Sequence, residues 1–162
     1  MKKYKNGIIL LNLLLLLFFF NKSIVHKEDT LKNGKLVLLK LAPVDPRSLM
    51  QGDYMRLNYA ISRNINLDSI SKRGYCVLNI DSKGIGQRVR FQKEVQPITN
   101  GEYAIRYNAK KWRNIDIGAE SYFFQEGTGE KYEKAKYGGL RIDGKGKSIL
   151  IGLYDKDLKK IE

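Results

Sequence analysis

The chain has 162 residues, 30 of them basic and 17 acidic, for a formal charge of +13, and it contains one cysteine and one histidine. That inventory excludes an intrachain disulfide, a zinc site built on cysteines, and a metal centre or catalytic triad that needs several histidines. The excess charge suits an anionic membrane surface or an acidic partner, yet it is spread along the chain without a block of like charge, as on a lysine-rich solvated surface, and no nucleic-acid motif accompanies it.

In chain order, Lys2, Lys3 and Lys5 precede residues 7–20, an apolar run broken only by Asn12. A membrane-spanning helix takes about 20 apolar residues, whereas the apolar core of a signal peptide takes about 7–15. The run alone fits the second. No pair of small residues follows for cleavage, however, and no cysteine follows to receive lipid. Ile24 and Val25 extend the span if Lys22 lifts its ammonium to the interface. The favoured expectation is an uncleaved single-pass anchor over residues 1–25; a cleaved signal and a buried helix are the alternatives. The basic flank points the N-terminus to the cytoplasm. The body would then lie outside, on the periplasmic face of the inner (cytoplasmic) membrane.

Residues 26–34 read as a polar linker ending in the turn pair Asn33-Gly34. Residues 35–162 suit one domain with its own core, and residues 36–41 read as a buried strand. Pro43 and Pro46 stop it, since each lacks an N–H and restricts its predecessor, and Asp45 starts a turn. One helical turn can follow from Ser48, before Gly52. From Asp53 the chain alternates, with Met55, Leu57, Tyr59 and Ile61 on one face and Tyr54, Arg56, Asn58 and Ala60 on the other, the signature of a half-buried strand.

Further on, residues 62–73 read as a loop and 74–80 as a strand in which Cys76 is a small buried hydrophobe. A turn over 81–86 leads to residues 87–94, with Val89 and Phe91 inward. These are expected to form a hairpin with 102–109, whose Tyr103, Ile105 and Tyr107 share a face. Residues 121–125 are a short apolar run. Thr128 is expected to cap a short helix over 129–137, closed by Gly138. A last hairpin turns at Gly144-Lys145-Gly146, and residues 155–162 are expected to fray. Short strands spaced by turn residues predict a mainly β domain, a compact barrel or sandwich with one short helix.

The segment Gly52-Asp53-Tyr54-Met55-Arg56-Leu57-Asn58-Tyr59, with its lead-in Asp45-Pro46-Arg47, fits the pattern Gly-Asp-Tyr-x-x-Leu-x-Tyr, and the chain resembles the bacterial GDYXXLXY family of membrane-anchored proteins. Gly118-Ala119-Glu120-Ser121-Tyr122-Phe123, then Gln125-Glu126-Gly127, Tyr132, Ala135 and Tyr137-Gly138 carry the likeness onward. The resemblance implies an N-terminal anchor and one extracytoplasmic domain associated with a multi-pass membrane protein. It implies no particular reaction and no cofactor.

The motif region admits two readings. As a folding staple, Asp45 bonds backbone N–H groups, Arg47 pairs with Asp53, and Gly52 takes a conformation denied to other residues. As a polar site, Asp45, Arg47, Asp53 and Tyr54 receive a ligand, Arg47 offering its planar fork to a carboxylate or phosphate. Glu120 and Glu126 flank Tyr122; if buried, Glu126 needs a donor such as Arg47 or Arg141. Two such acids could also serve a hydrolase, but the sequence does not set their separation. Gly127-Thr128-Gly129 lacks the spacing of a phosphate loop. Ser48 loosely echoes the serine of signal peptidases, without the lysine context its chemistry needs. The expected role is therefore an accessory domain that binds or steadies a membrane-protein partner, with an envelope ligand-binding or hydrolytic domain as the alternative.

Overall fold

In the computed structural model the described residues are 5–42, 54–110, 114–125 and 127–162. The apolar run forms one helix, α1 (Lys5–Asn33). Its two apolar-segment asparagines stay within it: Asn12 Nδ2 donates to the Ile8 carbonyl at 3.1 Å and Asn21 Nδ2 to the Leu17 carbonyl at 2.9 Å. Each amide thus finds a partner four residues back, without an outside donor or acceptor. The helix is long and apolar enough to cross a membrane, and none of its most apolar stretch is buried against the body.

The stretch 26–34, expected as a linker, instead carries the helix on to Asn33. Gly34 ends it, donating its N–H to the Thr30 carbonyl at 3.0 Å. A Cβ at Gly34 would meet that carbonyl and stand 3.1 Å from the Ile142 carbonyl. Only glycine lets the helix end so close to the sheet.

Nine short strands follow among the described residues: β1 (Lys35–Lys40), β2 (Tyr54–Arg56), β3 (Arg73–Ile80), β4 (Gly86–Gln92), β5 (Glu102–Ala109), β6 (Ile115–Asp116), β7 (Ser121–Phe123), β8 (Tyr137–Ile142) and β9 (Ser148–Tyr154). They form three antiparallel sheets, ordered β1-β8-β9, β2-β7 and β4-β3-β5-β6. The fold is mainly β, as expected, but among the described residues the sheets do not close into a barrel.

Backbone bonds stitch the sheets together. Leu38 N donates to Gly84 O at 2.9 Å, Ala42 N to Asn58 O at 2.7 Å and Arg106 N to Gly146 O at 2.8 Å, while Leu57 N, bonding Glu120 O at 2.8 Å, extends the β2–β7 ribbon. The shared core gathers Val37 and Leu39 from β1, Met55 from β2, Leu57 and Tyr59 just after it, Cys76 and Leu78 from β3, Ile105 from β5 and Leu140 from β8. Burial pushes the Cys76 thiol up to about 12, so the cysteine is a small apolar filler.

Several local expectations change. The hairpin expected between β4 and β5 does not form; both pair with β3, which is apolar enough to be central. Val89 points out, 52% exposed. The register pairs Val77 with Arg90 and Leu78 with Arg88, so Val89 is the extra residue of a bulge and the alternation slips there. The helix expected over 129–137 is a single 3-10 turn, Gly129–Tyr132, and the Thr128 hydroxyl bonds back to the Gln125 carbonyl rather than capping it. The C-terminal segment does not fray: Tyr154 bridges to Lys160, Ile161 N donates to Leu153 O at 2.9 Å, and Ile161 is buried.

Candidate functional site

The alternation from Tyr54 onward sorts the motif into two roles. Met55, Leu57 and Tyr59 point inward and are fully buried. The Tyr59 hydroxyl donates to the Ala119 carbonyl at 2.7 Å, and its ring lies where a Cβ at Gly138 would stand 2.9 Å from it. Burial, and then the charge of Glu120, push the Tyr59 hydroxyl far above the ordinary tyrosine range, so it stays a neutral donor. Leu57 and Tyr59 therefore anchor the strand in the core.

The outward positions build a surface. Tyr54 lies opposite Phe123 across the β2–β7 ribbon, their ring centroids 5.8 Å apart, and Phe123 is 74% exposed. Arg56 lies opposite Ser121 on the same outer face. Tyr122 sits opposite Met55 and stacks edge-on against Tyr132 at 5.1 Å, while Phe124 covers the same ring at 5.4 Å. Burial and its bond to Tyr132 raise the Tyr122 hydroxyl to about 12.

Beside this face is a polar cleft of about 230 Å³. One wall is Arg56, Asn58, Ser62 and Arg63; the other is Lys110, Asn114, Asp116 and Glu120. Lys110 and Asp116 are in contact as an ion pair. Glu120 is half-buried and accepts from Ile117 N at 2.5 Å. Burial raises its pKa, the charge of Asp116 adds to the rise, and the Ile117 N–H opposes it. Arg56 makes no ion pair with a described residue. The Ser62 hydroxyl is buried without a hydrogen-bond partner among the described residues, so none of them serves it as the base a nucleophile requires. The cleft offers hydrogen-bonding groups and charges of both signs to an incoming group.

Of the residues expected at a site, Tyr54, Leu57, Tyr59, Glu120 and Tyr122 come together around this ribbon. Asp45, Arg47, Gly52, Asp53 and Glu126 lie outside the described residues, as do Pro43, Pro46 and Ser48. Ser62, Arg63, Lys110, Asn114 and Asp116 were not expected there. Arg56 and Asn58 were legible as the outward positions of the motif strand, whereas Lys110 and Asn114 arrive from beyond β5 with no local signal. Among the described residues no group of three His, Cys, Asp or Glu side chains comes together to hold a metal.

No curated protein and no solved structure matches the chain. The profile described as GDYXXLXY protein matches residues 16–153, from within α1 through the motif strand and cleft into β9, and the chain belongs to the GDYXXLXY family.

Proposed function

We propose that the protein is a single-pass, membrane-tethered accessory domain, facing outward from the inner membrane, that binds or steadies a multi-pass membrane protein without catalysing a reaction. The observation that carries this is α1: its apolar length is wholly exposed, and it runs without a break into the folded body. An exposed apolar surface of this size needs lipid or protein to cover it. Held at a bilayer, the body meets membrane partners at raised effective concentration. Its contact face is the outer side of the β2–β7 ribbon, where Tyr54 and Phe123 stand beside Arg56. Aromatic and arginine side chains carry much of the binding energy in protein interfaces.

The test is affinity capture of the full chain from mild detergent, compared with Tyr54→Ala/Phe123→Ala. The variant should lose its co-purifying membrane protein while melting at the same temperature. Unchanged capture would remove this face from the binding role. Resistance of the chain to carbonate extraction, with the body cleaved by protease added outside the inner membrane, is expected; a body protected from that protease would reverse the orientation.

One feature supports a second reading, an envelope ligand-binding or hydrolytic domain: the half-buried Glu120 faces the same cleft as Arg56, which pairs with no acid among the described residues. Glu120→Gln should then abolish ligand capture or turnover without lowering stability.

A further inference from the structure

A second, larger cleft lies between the base of α1 and the turn that joins β8 to β9. Its volume is about 690 Å³. On the helix it is lined by Phe19, Lys22, Ser23, His26, Lys27 and Thr30, which recur every three or four residues and so form one stripe. Opposite stand Arg106 from β5 and the run from Lys145 to Ile149.

The charge of this lining is one-sided. Lys22, Lys27, Arg106, Lys145 and Lys147 face the cleft, and no acid lines it among the described residues. None of the five is in an ion pair with a described acid. A neighbouring carboxylate, Asp143, is engaged through Oδ1, while its buried Oδ2 has no hydrogen-bond partner among the described residues. Oδ2 lies 3.4 Å from His26 Nε2, and Oδ1 accepts the backbone N–H groups of Lys145 at 2.9 Å and Lys147 at 2.8 Å. Arg106 is held in place: its Nε donates to the Lys145 carbonyl at 3.1 Å and its guanidinium lies 5.7 Å from the centre of the Tyr75 ring. Its two terminal nitrogens have no described acceptor, which leaves a fixed fork of the kind that matches a phosphate.

The depth of the cleft identifies its occupant. Phe19 belongs to the apolar run, which Asn21 and Lys22 follow, so the cleft straddles the level at which α1 passes from apolar to polar. In a bilayer that is the headgroup level. Phe19, Ile117 and Ile149 give the cleft an apolar wall beside its cations. A free anion has no use for such a wall, whereas a lipid has an acyl chain to lay against it.

We propose that this cleft seats the phosphate headgroup of an anionic phospholipid from the bilayer that α1 crosses, with Arg106, Lys145 and Lys147 above and Lys22 and Lys27 at the side. The proposal rests on the anchor reading. Lipid bound here would fix the body against the membrane surface and so set which face it turns to a partner.

The experiment uses the full chain, released from membranes in mild detergent, with retained lipid counted by native mass spectrometry during exchange against dioleoyl phosphatidylglycerol or dioleoyl phosphatidylcholine. Each basic side chain near an anionic lipid surface contributes about fivefold. The wild type should therefore retain phosphatidylglycerol over phosphatidylcholine by about tenfold or more. Lys145→Glu/Lys147→Glu should bring the two lipids close to parity. That variant leaves the turn intact, because Asp143 holds the turn through backbone N–H groups rather than through the lysine side chains. Parity in the wild type, or an unchanged preference in the variant, would overturn the seat. Complete displacement of the lipid by millimolar inorganic phosphate would make the occupant a free anion and also overturn it. Carbonate extraction of the same membranes separates the two readings. A chain that stays in the membrane but shows no lipid preference sinks only the seat; a wild type released by carbonate sinks the anchor as well.

Discussion

Three aspartates close three turns in the same way. The carboxylate of Asp81 accepts the N–H groups of Lys83 and Ile85, that of Asp143 those of Lys145 and Lys147, and that of Asp155 those of Asp157 and Lys159, all at 2.8–3.0 Å. In each the residue three beyond the aspartate is left-handed: Gly84 at φ 81°, Gly146 at φ 76° and Leu158 at φ 60°. Leucine in that region costs about 1 kcal/mol or more. Leu158→Gly relieves this cost but gives back some apolar burial and loosens the unfolded chain. The net expectation is a gain of about 0.5 kcal/mol, read as a higher melting temperature; a fall would mean that the half-buried leucine side chain outweighs its backbone strain. The first two turns were legible because glycine marks them. The third was not, because leucine does not signal a left-handed residue, and so the C-terminus was expected to fray. A second residue-scale prediction concerns Glu102. Its two oxygens accept from Arg90 at 2.5 and 2.9 Å, and one also accepts from Thr99 N. The Arg90 bonds first, and then the Thr99 N–H, hold its pKa down to about 2. The folded state therefore gains from the ionised form above the ordinary glutamate pKa. It loses that gain as pH falls from there towards about 2. Glu102→Gln should flatten the stability profile over that acid window in denaturant titrations; an unchanged slope would place the acid sensitivity elsewhere.

Between elements, one close approach is set by a glycine at the end of the 81–86 turn. Gly86 opens β4, and a Cβ there would stand 2.8 Å from Val37 Cγ1 and 3.0 Å from Leu39 Cδ2, both on β1. This is where the four-stranded sheet closes on the three-stranded one, next to the Leu38–Gly84 backbone bond. Both neighbours are fully buried and have little room to move. Gly86→Ala is expected to cost about 1–3 kcal/mol through overpacking, measured by urea denaturation with an unchanged m-value. A cost near zero would show that β1 and β4 can part slightly without loss. The sequence revealed individual strands well, since the period of two survives in β2 and in the second half of β5, and β3 is a short apolar run. It revealed their partners poorly. Adjacency in sequence favoured a β4–β5 hairpin, but β3 is buried along most of its length and needs a neighbour on each edge, and the bulge at Val89 hides the true register of β4. The cleft followed the same division. Its motif wall was readable as the outward face of β2, whereas the Lys110–Glu120 wall exists only once β5, β6 and β7 have folded against it.

For the whole molecule, the decisive question is whether helix and body move as one. The sequence placed a polar linker between them, because residues 26–34 lack the apolar periodicity of a packed helix. The structure replaces it with a docked helical base held by a few specific contacts. Thr30 is 2% exposed and bonds back to the His26 carbonyl at 3.0 Å. His26 lies against Asp143, and Arg141 donates to the Gly34 carbonyl at 2.8 Å. A stiff joint of this kind orients the body relative to the bilayer, whereas a flexible one would only confine it. The contacts are partly exposed, so the Arg141 bond is worth about 1 kcal/mol, or about fivefold in the local opening equilibrium. His26→Ala/Arg141→Ala should therefore raise amide deuterium uptake across residues 26–33 of the full chain in detergent by about that factor or more, while amides in β3 exchange as before. If residues 26–33 remain as protected as in the wild type, the joint is held by the Thr30 and Gly34 packing alone. If β3 opens with them, the base of α1 is part of the same cooperative unit as the core, and the joint is stiffer still.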